Sequence, residues 1–324
     1  MSFLYSQLFI RPPYPTKSFT DRVVIVTGSN VGLGFEAARH FARLNAAKVI
    51  LAVRNTSAGE KAKQSIESST GRSGVCEVWQ LDLASYDSVK AFAARASSEL
   101  PRLDIVVENA GIATHSFSLA EGHESTITVN VISTVLLGLL LLPKLKQTAK
   151  EFPGSAASPH LSIVTSEVHA WTGMPEWKAQ NTFTALDDEK TANMQERYPT
   201  SKLLEVLVVR ELAPKLADSG VILNMLNPGL CHSQLARNAG WGLWLLKLLL
   251  ARSTEVGSRT LLAAAAAGAE SHGAYMTDGK EDNEAVSAFV RSEEGEKAQN
   301  KVWNELGEIL ENIQPGIISS FLLK

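Results

Sequence analysis

The sequence predicts an α/β protein: a doubly wound parallel sheet with helices on both faces. Three observations carry that prediction. Short β-branched runs alternate with helical stretches along most of the chain. The runs are apolar throughout rather than at every second residue, as strands buried on both faces require. A glycine-rich turn joins the first run to the first helix. Of 324 residues, 45% are hydrophobic and 20% charged, enough apolar side chain for one large core.

The elements follow in order. The proline-rich start, with Arg11-Pro-Pro-Tyr-Pro15, predicts an extended arm over 1–20 ahead of a single domain over 21–324. Val23–Val26 reads as the first strand and Phe35–Leu44 as the first helix. Lys48–Ala52, Cys76–Gln80 and Ile105–Val107 continue the strands, with helices over Ala58–Ser68 and Ser85–Leu100 between them. A long helix over Glu121–Leu142 precedes a strand at Leu161–Val164, then come a helix over Thr200–Leu216 and a strand at Val221–Met225. Such alternation implies right-handed crossovers and a Rossmann architecture. Two stretches interrupt it: a long insertion at 171–197, and a segment over 231–256 holding the leucine- and tryptophan-rich Trp241–Ala251. Both are expected near the carboxyl edge of the sheet, where ligands sit in open α/β folds.

Composition sets limits on function. The formal net charge is -3, and no lysine or arginine run makes a basic patch, so nucleic acid is not an expected partner. Cys76 and Cys231 lie far apart and read as reduced thiols, and the seven histidines are scattered, so no metal site is expected. The N-terminus lacks the pattern of a secretory signal. The greasiest stretch, Val131–Leu142, ends at Pro143 and reads as too short to span a bilayer. A soluble, cytoplasmic protein without an integral membrane segment is expected.

Thr27-Gly-Ser-Asn-Val-Gly-Leu-Gly34 follows the first strand and opens the first helix. There Gly28 permits the tight turn, Gly32 the approach of backbone N–H groups to a pyrophosphate, and Gly34 close helix–sheet packing. The helix start adds unpaired donors and partial positive charge. After the second strand, where an acid would favour a ribose hydroxyl, the sequence reads Leu51-Ala-Val-Arg-Asn55. Arg54 suits a 2′-phosphate, so NADP(H) is the expected cofactor.

With these motifs together, the chain resembles a short-chain dehydrogenase/reductase. The family's TGxxxGxG turn is met by Thr27–Gly34, its adenine-contacting acid by Asp82, and its Asn-Ala-Gly motif by Asn109, Ala110 and Gly111. Its Asn, Ser, Tyr, Lys tetrad is met by Asn130, Ser166, Tyr198 and Lys202, and its nicotinamide-bordering turn by Asn227-Pro228-Gly229. The resemblance spans roughly residues 22–230 and implies further cofactor contacts at Asn30, Leu33 and Leu83, besides those of Tyr198 and Lys202. It is nearest to the retinol-dehydrogenase-like branch and to fungal reductases that tailor polyketides or terpenoids. Departures are Thr165-Ser166 in place of Ser-Ser and the missing membrane anchor of many retinol dehydrogenases. A homodimer built on the helices from Glu121 and Thr200 is implied by resemblance too.

The chemistry fits these residue types. A hydride reaching a carbonyl carbon leaves an alkoxide that needs a proton, and free tyrosine is a poor acid–base group at neutral pH. Tyr198 and Lys202 are four apart on a helix and share a face, so the ammonium is expected to pull the phenol toward neutrality, helped by oxidised nicotinamide. Ser166 is expected to hold the substrate oxygen. By resemblance, Asn130 kinks its helix and holds a water that connects Lys202 to solvent. By resemblance the 231–256 segment is the substrate lid, and its Trp241–Ala251 stretch, with Met174, Trp177 and Met194, suggests a small apolar carbonyl or alcohol substrate, of polyketide, terpenoid or retinoid type; a cover for the core or a subunit interface and a shallow membrane contact are the other readings of that stretch. A membrane-docked retinoid dehydrogenase and a non-redox cyclase, isomerase or sensor are the competing readings.

Overall fold

The computed structural model describes residues 3–153, 157–232 and 250–322. Its frame is an eight-stranded sheet. Strands β1 (Val23–Thr27), β2 (Lys48–Val53), β3 (Cys76–Gln80), β4 (Ile105–Glu108), β7 (His160–Val164), β8 (Ile222–Asn227) and β9 (Tyr275–Thr277) are parallel. β10 (Lys280–Glu281) closes the far edge antiparallel to β9. The strand order is β10-β9-β8-β7-β4-β1-β2-β3, so chain direction switches sides between β1 and β4. β5 (Leu119–Ala120) and β6 (His123–Glu124) form a separate small hairpin.

Each face of the sheet has its own core. On one face α4 (Tyr86–Glu99), α6 (Ser133–Glu151), α8 (Arg197–Lys215) and α10 (Glu293–Ile313) pack around Leu136, Leu161, Leu204 and Leu306. On the other, α2 (Gly32–Arg43), α3 (Thr56–Thr70) and α9 (Thr254–Ala265) cover Val24, Val26, Leu51 and Val107. β1 is buried along its whole length, which is why it carries Val-Val-Ile-Val without polar alternation. Helix ends follow local chemistry. Asn55 caps α3 by accepting from Ala58 N–H at 3.0 Å, and Gly71 ends it in the left-handed region at φ 68°.

Five features differ from the sequence expectations. The arm is not wholly extended: Phe3–Phe9 forms the short helix α1, held because Arg252 donates to the carbonyls of Ser6 at 2.8 Å and Ile10 at 3.0 Å. The long helix begins at Ser125, not Glu121, in the short segment α5 (Ser125–Ile127). Glu121 and Gly122 form the positive-φ tip of the β5–β6 hairpin, and the Glu124 carboxylate accepts from Thr126 and Ile127 N–H. That helix also runs through Pro143 to Glu151. An interior proline costs about 3 kcal/mol. Leu141, Leu142 and Leu145 beside it are wholly buried, at about 1.5–3 kcal/mol each, so packing wins.

Contrary to the length expectation for Val131–Leu142, the helical stretch Ser125–Glu151, 27 residues, is long and apolar enough to cross a membrane, and 89% of its most apolar window is buried inside the protein. Finally, α8 starts at Arg197 rather than Thr200, and β9, β10 and α10 extend the fold beyond the last predicted strand.

Candidate active site

The site lies along the carboxyl ends of β1, β4, β7 and β8, at the place where strand order reverses. Gly28 has φ +65°, and a Cβ there would lie 3.0 Å from Ala110 Cα. At Gly34 a Cβ would meet Asn109 Nδ2 at 2.5 Å and the Gly28 carbonyl oxygen at 2.8 Å, so helix α2 starts against the turn only with glycine there. Gly32, at φ +67°, faces open space instead, which suits the approach of a phosphate. No side chain caps α2, whose N-cap is Val31, so its first N–H groups remain donors for an anion. Asn30 is half-buried in the turn, and Leu33 packs under it against the second core.

The neighbouring motifs are tied to this turn. Thr27 Oγ1 accepts from Asn109 N–H and Ala110 N–H, both at 2.9 Å, and Asn109 Nδ2 donates to the Thr27 carbonyl at 2.9 Å. Asp82 closes its own turn by accepting from Ala84 N–H at 3.0 Å, and Leu83 is buried beside it. Arg54 directly follows β2 and is exposed, and among the described residues nothing bonds its side chain. The turn contains no carboxylate, so this end of the cradle fits a nucleotide carrying a 2′-phosphate.

Asn130 sits inside a π-helical turn, Thr128–Ile132, between α5 and α6. Its Oδ1 accepts from Ile112 N–H at 2.8 Å, while Nδ2 donates to the Ile112 carbonyl at 2.9 Å and to Ser201 Oγ at 3.0 Å. The side chain thus clamps the loop after Gly111 onto α8, and both ends of the amide are engaged. Gly111 lies against this clamp: a Cβ on it would be 3.1 Å from Asn130 Oδ1 and 4.0 Å from Lys202 Nζ.

Ser166 caps a short 3-10 turn after β7, and its side chain lies close enough to Tyr198 to influence the phenol. Lys202 Nζ stands 5.7 Å from the centre of the Tyr198 ring, donates to the Val164 carbonyl at 2.9 Å and pairs with Glu205 at 2.7 Å. Without a nicotinamide beside it, burial holds the Tyr198 pKa above the ordinary phenol value; Lys202 pulls it down as expected, Glu205 pushes it up, and the Ser166 side chain lowers it further. Lys202 is itself held charged, because Glu205 and Tyr198 outweigh its desolvation.

Pro228 and Gly229 follow β8. Gly229 has φ +74°, its N–H donates to Asn227 Oδ1 at 3.0 Å, and a Cβ there would strike Gln7 of α1 and Arg252. Arg252 pairs with Asp278 at 2.5 Å, so the N-terminal helix, this turn and the end of β9 share one buried charge pair. These groups had no motif to mark them. Nor did Glu205, although its place three residues after Lys202 was a readable i,i+3 signal, or Glu108, an acid ending an otherwise apolar strand.

Most of the proposed substrate lid, 233–249, lies outside the described residues, and so does Trp241. Met174 has no exposed surface and Trp177 packs toward Phe289, with ring centres 6.4 Å apart. Both belong to the packing of the insertion against the C-terminal part of the fold. Met194 is half-buried. Among the described residues no cluster of three His, Cys, Asp or Glu side chains is arranged to hold a metal.

A doubly wound sheet with a glycine turn, an Asn-Ala-Gly loop and a Ser/Tyr/Lys cluster at its carboxyl edge defines a class of nicotinamide-fold oxidoreductases, and the chain belongs to the short-chain dehydrogenase family. The short chain dehydrogenase profile matches residues 22–155. Among curated relatives, the short-chain dehydrogenase anuD of Penicillium roqueforti is 50% identical over 327 residues, covering 98% of this chain and 84% of the relative. The short chain dehydrogenase/reductase dmxR8 of Cryptosporiopsis is 50% identical over 329 residues, covering 99% and 100%. These sources are fungal, in keeping with the branch that the resemblance indicated. Among solved structures, an NADPH-bound carbonyl reductase from chicken fatty liver superposes with a TM-score of 0.61 at 21% identity, covering 81% of this chain and 99% of that one. At such identity the likeness speaks for the fold.

Proposed function

We propose that the protein is an NADP(H)-dependent reductase or dehydrogenase that interconverts a carbonyl and an alcohol on a small apolar molecule. The observation that carries this reading is the convergence of Ser166, Tyr198 and Lys202 beside Gly111 and the open glycine turn. The nicotinamide, when bound, supplies or accepts the hydride. In this reading Gly32 and the uncapped start of α2 take the pyrophosphate, Arg54 the 2′-phosphate, and Asp82 with Leu83 the adenine end. Asn109, Ala110, Gly111, Pro228 and Gly229 border the cofactor, and Lys202 fixes its ribose.

Tyr198 donates the proton that turns the substrate oxygen into an alcohol, and Ser166 holds that oxygen by a hydrogen bond. Asn130 acts by keeping the Gly111–Ile112 loop and α8 in register. NADPH bound in structural neighbours, among them a short chain dehydrogenase of Escherichia coli CFT073, supports the cofactor choice. The homodimer, the cytoplasmic location and the lid role of 231–256 belong to the same reading.

Fluorescence titration of NADPH and NADH against wild type and Arg54→Ala tests it. A guanidinium–phosphate contact contributes about 1.5–3 kcal/mol, so NADPH affinity is expected to fall about 10–100-fold in the variant while NADH is little changed. Equal wild-type binding of both nucleotides would remove Arg54 from this role. Full turnover by Tyr198→Phe would overturn the redox reading.

A further inference from the structure

Next to Lys202 the structure buries two carboxyl groups that the reaction as described does not use. Glu205 is 3% exposed and Glu108 4%. Glu205 Oε1 binds Lys202 Nζ at 2.7 Å, and its other oxygen has no hydrogen-bond partner among the described residues. Neither oxygen of Glu108 has one. Glu108 ends β4 immediately before Asn109 and lies beneath α6, where a Cβ on Gly138 would be 3.4 Å from its Oε1.

An unpaired carboxylate in such a place is costly, so the pair holds as little charge as it can. Burial raises both acids. The neighbouring Glu205 raises Glu108 further, whereas Lys202 pulls Glu205 back down. Glu108 is therefore held the more strongly toward its neutral form, while Glu205, pushed up to about 7, carries its charge from around neutral pH upward. Lys202 and Tyr198 on α8 and Glu108 on β4 are the titratable groups that bear on Glu205. A negative charge at Glu205 cancels part of the ammonium field that would otherwise favour tyrosinate.

We propose that Glu205 is a positioning residue for the proton-transfer step: it anchors Lys202 and offsets its charge, so that Tyr198 stays a protonated donor and the site is poised for carbonyl reduction rather than alcohol oxidation. The proposal rests on Tyr198 being the proton donor. Its test reads Tyr198 without turnover, so the two readings fail separately.

The measurement is an alkaline titration of tyrosinate absorbance in the near ultraviolet on the full chain, with Tyr198→Phe as the blank that isolates one of five tyrosines. In Glu205→Gln the Tyr198 signal is expected to appear earlier than in wild type, by about one pH unit or more. The double variant Glu108→Gln/Glu205→Gln, in which Glu108 cannot take over the charge, falls at least as far. Glu205→Asp keeps the charge and stays nearer to wild type. If Tyr198 ionises no earlier in Glu205→Gln, or if the Asp and Gln variants fall alike so that packing rather than charge is responsible, the proposal is overturned. Glu205→Met, of similar length and uncharged, gives the same reading should the amide variant fail to fold.

Discussion

Replacing Asn130 by alanine removes a side chain that is fully buried and makes three hydrogen bonds, to both polar groups of the Ile112 backbone and to Ser201 Oγ. Each such bond contributes about 1 kcal/mol net, and a buried group left without a partner costs about 1–3 kcal/mol. Ile112 is only half-buried, so water can reach its N–H and carbonyl and recover part of the loss. Ser201 has no exposed surface, but its hydroxyl already donates to the Tyr198 carbonyl at 2.8 Å and forfeits only its acceptor role. The expected destabilisation is therefore about 2–3 kcal/mol, below the roughly 3–9 kcal/mol that three fully buried losses would give. Urea unfolding followed by circular dichroism reads it as a lower midpoint at unchanged slope. A loss below about 0.5 kcal/mol, the level of an ordinary surface substitution, would refute the view that Asn130 clamps the loop after Gly111 to α8.

Three further outcomes follow from the same structure. Gly34→Ala drives a methyl to 2.5 Å from Asn109 Nδ2 and 2.8 Å from the Gly28 carbonyl oxygen, so it should lower unfolding free energy by about 1–3 kcal/mol and weaken NADPH binding; wild-type stability in the same urea experiment refutes the packing argument. His169 donates from Nδ1 to the Ser166 carbonyl at 2.7 Å and accepts the Ser287 N–H on Nε2 at 3.1 Å, a neutral imidazole whose pKa burial lowers. A folded pKa below the unfolded one gives stability that is present above the unfolded value of about 6.5 and lost as pH falls through it. The stability gap between wild type and His169→Gln should thus shrink from pH 8 to pH 5 (approximate window), and a constant gap refutes it. Arg252→Ala should release α1, seen as faster proteolytic cleavage within residues 3–20; unchanged cleavage shows that the arm is held by other contacts.

Much of the frame was readable because its signals are local. Val23–Val26 could only be a strand buried on both faces, and the turn at Gly28, Gly32 and Gly34 needs glycine for reasons visible in three residues. The Tyr198/Lys202 pair was readable from helical spacing, even though the helix starts three residues earlier than the periodicity suggested. What escaped depends on contacts distant in the chain. Pro143 reads as a helix stop until Leu141, Leu142 and Leu145 are seen to be buried. Phe3–Phe9 becomes helical on a guanidinium 246 positions downstream, at Arg252. Glu108 looks like a strand end facing solvent, and only the packing of α6 and α8 over it turns that acid into a buried one. The opposing effects of burial and Glu205 on Tyr198 were illegible for the same reason, since both are tertiary facts.

The chain on either side of 233–249 is pinched together. Arg252 N–H donates to the Leu230 carbonyl at 2.9 Å, His232 N–H donates to the Arg252 carbonyl at 2.9 Å, and Cys231 and Arg252 form an isolated bridge. These contacts close a stem at the base of the insert. Lengthening such an insert adds only a slowly growing closure entropy, about 0.6 kcal/mol per doubling. The described anchors of β8, the Arg252–Asp278 pair and the Tyr198 cluster are all contacts among residues outside that stretch, so the stem is a boundary at which to test an exchange of the insert by urea unfolding.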